Sequence, residues 1–345
     1  MLSFVNDYSE LCHPRVLARL AEDNFEPQSG YGTDAICAEA TARIRAACGA
    51  PEAEVVYLSG GTQTNRIVCA ALLRPWEGVL AAETGHVAVH EGGAIESSGH
   101  KVLTLPAHDG KLDPAEAAAY LEAFHADANR DHTVWPGLLY LSWPTELGTL
   151  YTKAELTALH ALCQRYRMPL YLDGARLASG LASPACDLTL PELAALCDVF
   201  YLGGTKCGAM LGEALVFPRG GLPAHLVTMV KQQGGLLAKG RLLGAQFDAL
   251  LRDGLYFELG RNAVDRAMEL KQVFREKGYR FYLDSPTNQQ FLILEDRLME
   301  ELAKFVAFSY WERYDETHSV VRFCTSWATT REQIEALRAA LPEAG

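Results

Sequence analysis

Val199–Gly212 reads VFYLGGTKCGAMLG. An apolar run with strand character ends in two glycines and a threonine, followed by Lys206 and a further glycine. Of the nine lysines, Lys206 alone sits in a small-residue turn directly after a strand that reads as buried. Low-dielectric surroundings lower an ammonium pKa and free the neutral amine. A neutral lysine amine is the nucleophile of Schiff-base chemistry. The plainer reading is an ordinary surface-loop lysine, so the flanking sequence has to decide.

Outward from that stretch, short apolar runs alternate with helical patterns from about residue 30 to 220. Strands are expected at Val55–Leu58, Gly78–Ala82, Lys101–Leu105, Gly137–Ser142, Pro169–Leu172 and Val199–Leu202. Helices are expected over Thr62–Leu73, over Ala115–Ala126 behind Asp113-Pro114, and over Thr152–Arg167, where Thr152 and Glu155 form a capping box. Apolar runs without polar alternation are strands buried on both faces, and with helical crossovers they make a mainly parallel α/β sheet. Residues 222–254, rich in Gly and Leu, read as helical. Beyond about 255 the pattern changes to a long helix over Leu259–Lys277, strands at Tyr279–Leu283, Phe291–Leu294 and Val320–Cys324, and helices near Arg297–Phe305 and Thr330–Leu341. That texture suits a smaller α+β domain. The expected division is an N-terminal segment 1–30, a large domain 31–250 and a small domain 251–345.

The 345 residues suffice for a sizeable core, and 49% apolar with 21% charged residues is an ordinary globular composition. A net charge of −12 with no basic stripe argues against nucleic acid. No apolar run is long enough for a bilayer span, and MLSFVNDYSE lacks a secretory layout. Nine cysteines without a C-x-x-C pair read as free thiols in a reducing cytoplasm. A small-molecule substrate is therefore expected.

Ligands in an open parallel sheet gather beyond the C-terminal strand ends. After Val55–Leu58 comes Ser59-Gly60-Gly61-Thr62-Gln63-Thr64-Asn65, a glycine turn opening a helix, which suits a phosphate. It is neither G-x-G-x-x-G nor a P-loop. After Pro169–Leu172 comes Asp173-Gly174-Ala175-Arg176, an acid able to keep a pyridinium nitrogen protonated and a guanidinium able to grip a carboxylate. A plain Asp–Arg ion pair is the alternative. His86, after Gly78–Ala82, could stack on a flat ring or be a hydrogen-bonded core histidine. His86 and His90 at i, i+4 could also share a metal, though the order is not H-E-x-x-H. Phosphate cradle, ring partner, ring-nitrogen acid and Schiff-base lysine are together the parts that pyridoxal phosphate requires.

The chain at this point resembles the threonine aldolase and β-eliminating lyase family of fold-type-I pyridoxal-phosphate enzymes, near the low-specificity L-threonine aldolase branch. The likeness runs from Phe4-Val5-Asn6-Asp7 and Tyr31-Gly32 through Gly60–Asn65, Glu83–His86, Pro144–Thr149, Asp173–Arg176 and Gly204-Thr205-Lys206 to Val321-Arg322. It implies a large domain on a mainly parallel, seven-stranded sheet with a small C-terminal α+β domain. Lys206 would carry the Schiff base, Asp173 would meet the ring nitrogen and His86 would stack. Gly60, Gly61, Thr62 and Thr205 would contact the cofactor, with Lys239 or Arg241 near the phosphate from a neighbouring subunit. Arg176 and Arg322 would grip the substrate carboxylate with help from Asn6, and Tyr31 would border the substrate. Two departures bear on substrate: Asn6-Asp7 stands for the usual Ser-Asp, and Thr145-Glu146 stands where some members carry a second histidine.

The implied activity is retro-aldol cleavage of β-hydroxy-α-amino acids, threonine or allo-threonine giving glycine and acetaldehyde. His86, Glu146 or a water between them is the candidate base. A β-eliminating lyase or a racemase is the alternative within the cofactor class, and a metal-dependent hydrolase on His86 and His90 the alternative outside it. A homo-oligomer, dimer or tetramer, with shared active sites is expected, and no resident metal.

Overall fold

The computed structural model describes residues 1–343. Its centre is a seven-stranded sheet. Across the sheet the order is Glu54–Leu58, Glu213–Phe217, Val199–Gly203, Leu170–Asp173, Trp135–Ser142, Glu77–Ala82 and Val102–Leu105. The last five are mutually parallel, and Glu213–Phe217 runs against both of its neighbours. Successive strand residues face opposite sides, and both sides are covered. Leu139, Leu141, Leu170 and Leu172 pack into one apolar layer with helices Ala35–Cys48 and Lys153–Tyr166, while Leu138, Tyr140, Tyr171 and Tyr201 pack into the other with Ile67 and Val68 of helix Gly61–Leu72. This is why the strands read as unbroken apolar runs.

Register lines up the strand ends. Ser142 pairs with Asp173, and Gly203 pairs with Glu213. Because Glu213–Phe217 is antiparallel, its first residue lies beside its neighbours' last ones. That strand is missing from the sequence reading, since Glu-Ala-Leu has helical preference and only pairing on two sides makes it extended.

A second, antiparallel sheet has the order Ser309–Arg313, His318–Cys324, Gln289–Glu295 and Arg280–Phe281. Leu2–Ser3 pairs in parallel with Val306–Ala307, so the chain start lies against this C-terminal layer. Helix Leu255–Glu276 begins four residues earlier than its periodicity predicts. It crosses helix Leu177–Ala182 at Gly260, where a Cβ would lie 2.5 Å from the Ala178 backbone. Strand Ser309–Arg313 also escapes the sequence reading: its residues are mostly exposed, and a register shift between Tyr310 and Glu312 bulges Trp311 out of the pairing. Residues 222–254 contain helices Leu226–Gln232 and Arg241–Leu251, as the composition suggests. The Thr152–Glu155 capping box is present. Among the described residues no helix is long and apolar enough to cross a membrane.

Candidate active site

The C-terminal strand ends enclose a cavity of about 300 Å³. Asp173 closes strand Leu170–Asp173 and is only 4% exposed. Burying a carboxylate there is tolerable because donors surround it. Asn65 Nδ2 donates to Oδ2 at 2.9 Å and Tyr140 OH to the same oxygen at 2.7 Å, while the Ala175 N–H donates to Oδ1 at 3.0 Å together with Tyr201 OH. Burial alone would raise its pKa, but the His86 charge and the hydroxyl and amide donors outweigh it and hold the carboxyl below its ordinary range.

The same Asn65 amide also donates to Glu91 Oε1 at 2.8 Å, while Asn65 Oδ1 accepts from Tyr171 OH at 2.6 Å. Glu91 in turn meets His86 Nδ1 at 2.6 Å. Burial tends to lower the His86 pKa, but Glu91 and Asp173 reverse this and raise it. Asp173, Asn65, Glu91 and His86 thus form one continuous chain along the cavity wall.

Lys206 follows strand Val199–Gly203 and lines this cavity. Its turn is pinned from the antiparallel strand. Glu213 accepts from the Gly204 N–H at 3.0 Å and from Thr205 Oγ1 at 2.9 Å, and Thr205 Oγ1 accepts from the Gly212 N–H at 3.1 Å. Burial and the Arg176 charge push the Lys206 pKa down, against the pull of Asp7, Asp173 and Glu213. Burial likewise pushes Glu213 up. The remaining wall is the start of helix Gly61–Leu72, whose N-cap Gly60 supplies no capping side chain. Gly60 and Gly61 both line the cavity, as does Thr62. An uncapped helix start facing a cavity is suited to an anion. The Thr64 hydroxyl, by contrast, is buried and donates back to the Gly60 carbonyl at 2.9 Å.

A larger cavity of about 660 Å³ shares Lys206 and His86 with the first and extends towards the C-terminal sheet. Arg176 and Arg322 both line it. The Arg176 fork is spent on Asp7, with Nε–Oδ2 at 2.6 Å and Nη2–Oδ1 at 3.0 Å, which leaves Nη1. Asp7 is 1% exposed and also accepts from Asn288 Nδ2 at 2.9 Å. Burial would raise its carboxyl, but Arg176, Lys206 and Asn288 bring it down to about 2. Arg322 donates to Gln289 Oε1 at 3.0 Å and to the Val5 carbonyl at 3.3 Å, and its guanidinium lies 5.4 Å from the Trp311 ring centre. Glu146 Oε1 accepts from Ser142 Oγ at 2.5 Å and from the His86 backbone N–H at 2.9 Å, and burial raises its pKa.

Of the residues singled out in sequence, Gly60, Gly61, Thr62, His86, Asp173, Thr205 and Lys206 line the first cavity, and His86, Glu146, Arg176, Lys206 and Arg322 line the second. Asn6, Tyr31, Lys239 and Arg241 line neither. Asn6 Oδ1 caps the following turn through the Tyr8 N–H and Ser9 Oγ. Tyr31 is half exposed beneath Lys231 Nζ, 4.8 Å from its ring centre. Arg241 donates to the Glu26 carbonyl at 2.6 Å and shares a separate hollow with Lys239.

Sequence reasoning missed Asp7, Glu91, Glu213 and the tyrosines around Asp173. A signal for the last was present. Tyr140, Tyr171 and Tyr201 each put a hydroxyl into a largely apolar strand, and a phenol buried on a two-sided sheet needs a partner. His86 and His90 do come together, with ring centres 5.5 Å apart, but His86 Nδ1 is committed to Glu91. No group of three or more His, Cys, Asp or Glu side chains able to hold a metal occurs among the described residues.

Comparison with known proteins identifies relatives of this chain. A family model described as β-eliminating lyase matches residues 14–297. The low-specificity L-threonine aldolase of Pseudomonas aeruginosa is 30% identical over 336 residues, spanning 96% of this chain and 94% of that protein. The solved structure of a threonine aldolase from Leishmania major is 44% identical, superposes with a TM-score of 0.94, and covers 99% of this chain and 98% of its own. Aspartate aminotransferase of Thermus thermophilus, at 17% identity and a TM-score of 0.70 over 99% of this chain and 92% of that one, shares the fold.

Proposed function

The chain belongs to the β-eliminating lyase family, and from that premise we propose that it is a pyridoxal-phosphate-dependent aldolase that cleaves threonine and allo-threonine to glycine and acetaldehyde. The observation that carries this reading is the meeting of Lys206, Asp173 and the uncapped start of helix Gly61–Leu72 around one cavity. The residues fit the cofactor on physical grounds. Asp173 is a buried, ionised carboxylate with no cationic side chain hydrogen-bonded to it, so a protonated ring nitrogen would complete its surroundings. Lys206 would hold the cofactor covalently through its neutral amine, the helix start with Gly61 and Thr62 would hold the phosphate, and His86 would lie against the ring.

When bound, pyridoxal phosphate supplies an electron sink for a bond at Cα of the substrate. The chain decides which bond by orientation. Arg322 and the free Nη1 of Arg176 would fix the substrate carboxylate, which would turn Cβ and its hydroxyl towards the wall that includes His90, Glu146 and Trp311. Asp7 would keep the Arg176 guanidinium from rotating away.

We further propose a homo-oligomer. A hollow of about 430 Å³ beside edge strand Glu54–Leu58 is lined by Tyr31, Val55, Leu226, Val227 and Leu236, and the nearby Lys239 and Arg241 would serve a neighbouring site. Cytoplasmic residence is proposed from the nine free thiols. The deciding experiment is the visible absorption of the purified protein before and after borohydride, with the trapped lysine mapped by mass spectrometry. Label on Lys206 together with acetaldehyde from threonine is the expected result. Label elsewhere, or pyruvate from β-substituted substrates with no acetaldehyde from threonine, overturns the reading.

A further inference from the structure

Retro-aldol cleavage needs a group that accepts the β-hydroxyl proton, and the second cavity offers His86, Glu146 and His90. His86 has Nδ1 tied to Glu91 at 2.6 Å, beside the buried Asp173. Its surroundings favour the protonated ring, which is a poor acceptor. Glu146 is 8% exposed, and one of its oxygens already holds both Ser142 Oγ and the His86 backbone. His90 differs from both. It ends the short helix that begins at His86, and its ring stands at the cavity wall between the His86 ring, 5.5 Å away, and the Trp311 ring, 5.9 Å away. Neither of its ring nitrogens has a hydrogen-bond partner among the described residues.

We propose that His90 is the catalytic base that takes the proton of the substrate β-hydroxyl. The proposal rests on the aldolase reading and deepens it. The bulge that expels Trp311 from strand pairing lets its ring pack edge-on against His90, which fixes the imidazole while leaving its nitrogens open to the cavity. The surrounding charges also suit the role. His86 from the same helix, Arg176 after strand Leu170–Asp173, Lys206 after strand Val199–Gly203 and Arg322 on strand His318–Cys324 are all cationic or able to be. With burial they keep the His90 ring neutral below its ordinary range. Glu83, Glu146, Glu312 and Tyr282 line the same cavity, and the net direction at His90 is still downward. In the step, the O–H proton passes to the imidazole and the O–H electron pair becomes the second C–O bond of the departing aldehyde. The Cα–Cβ bond breaks with its pair left at Cα, which takes up a proton to give glycine. His90 then returns its proton to solvent.

The test uses the cofactor-loaded wild-type enzyme with His90→Phe and His90→Asn. Loss of a general base should lower threonine cleavage by about 10²-fold or more in both variants. Exchange of the glycine α-proton in deuterated water does not involve a β-hydroxyl and should stay near the wild-type rate. In cofactor-free protein, imidazole NMR should show His90 titrating below 6.5. Cleavage preserved in both variants, glycine exchange falling in step with cleavage, or a His90 midpoint above 6.5 overturns the proposal. Wild-type enzyme that exchanges the glycine α-proton yet releases no acetaldehyde from threonine overturns the aldolase reading itself.

Discussion

The two cavities meet at Lys206 and His86, yet they are built on different terms. In the first, almost every polar group is held by a partner on the large sheet or on the helix and loop beside it: Asp173 by Asn65, Tyr140 and Tyr201, Thr205 by Glu213, and His86 by Glu91. In the second, the chain start, the bulged strand Ser309–Arg313 and strand His318–Cys324 converge from distant parts of the sequence, and His90 is left without a partner. On the proposed reading the first is a socket for one constant ligand. The second has to admit a substrate, so its groups are held from one side and open on the other.

The largest effect should come from Lys206, one of the groups both cavities share. Lys206→Ala should lower threonine turnover by about 10³-fold or more, the scale on which a covalent nucleophile is missed. The socket is otherwise intact, so the thermal midpoint of the cofactor-free variant should stay near that of the wild type. A variant that turns over normally would place the chemistry outside the first cavity altogether.

Asp7→Asn acts on the second cavity through Arg176. It removes the carboxylate that fills the Arg176 fork at 2.6 and 3.0 Å and leaves a guanidinium uncompensated in a nearly buried site. Breaking such a pair costs about 3–5 kcal/mol, shared between stability and substrate grip. Threonine KM should rise about 10-fold or more on that scale, while the visible spectrum of the bound cofactor stays unchanged. An altered spectrum with normal KM would mean that Asp7 serves the socket instead.

How much of this was legible in sequence follows the same divide. Each residue that the sequence singled out and that lines the first cavity stands in a local signal: a strand, a small-residue turn, then a chemical group, as in Leu172-Asp173-Gly174 or Gly204-Thr205-Lys206. Glu213 escaped because its position depends on an antiparallel strand whose pairing partners lie about ten and 155 residues away. Asp7 and Trp311 carry no local mark at all. Only the packing of Leu2–Ser3 on Val306–Ala307 and a one-residue bulge bring them to the site. Sequence periodicity reports burial along one element, and it is silent on which distant loops meet over a strand end.

A smaller effect, readable without any assay, separates the two histidines that stand 5.5 Å apart. The Glu91 and Asp173 carboxylates raise the His86 pKa against burial, whereas burial and four cationic neighbours lower that of His90. In cofactor-free protein the first should therefore stay protonated above pH 6.5 and the second should lose its proton below it. Glu91→Gln removes the charge that holds Nδ1 and should move the His86 midpoint down towards 6.5. Imidazole NMR resolves both shifts, and two rings titrating together would erase the electrical contrast between the cavities.

The smallest effect is expected at Asn6, and it tests where the second cavity ends. Resemblance gives this residue a share of the substrate carboxylate, but its Oδ1 is spent on the Tyr8 N–H at 2.9 Å and Ser9 Oγ at 3.0 Å, and it lines neither cavity. Asn6→Ala would remove a turn cap next to Asp7, at a cost of about 1 kcal/mol in stability by analogy with helix caps. Threonine KM should change by less than about threefold, well under the tenfold that 1.4 kcal/mol of lost binding represents. A KM raised by the same factor as in Asp7→Asn would mean that substrate draws the chain start inward and that Asn6 Nδ2, free of the cap, reaches the carboxylate beside Arg322.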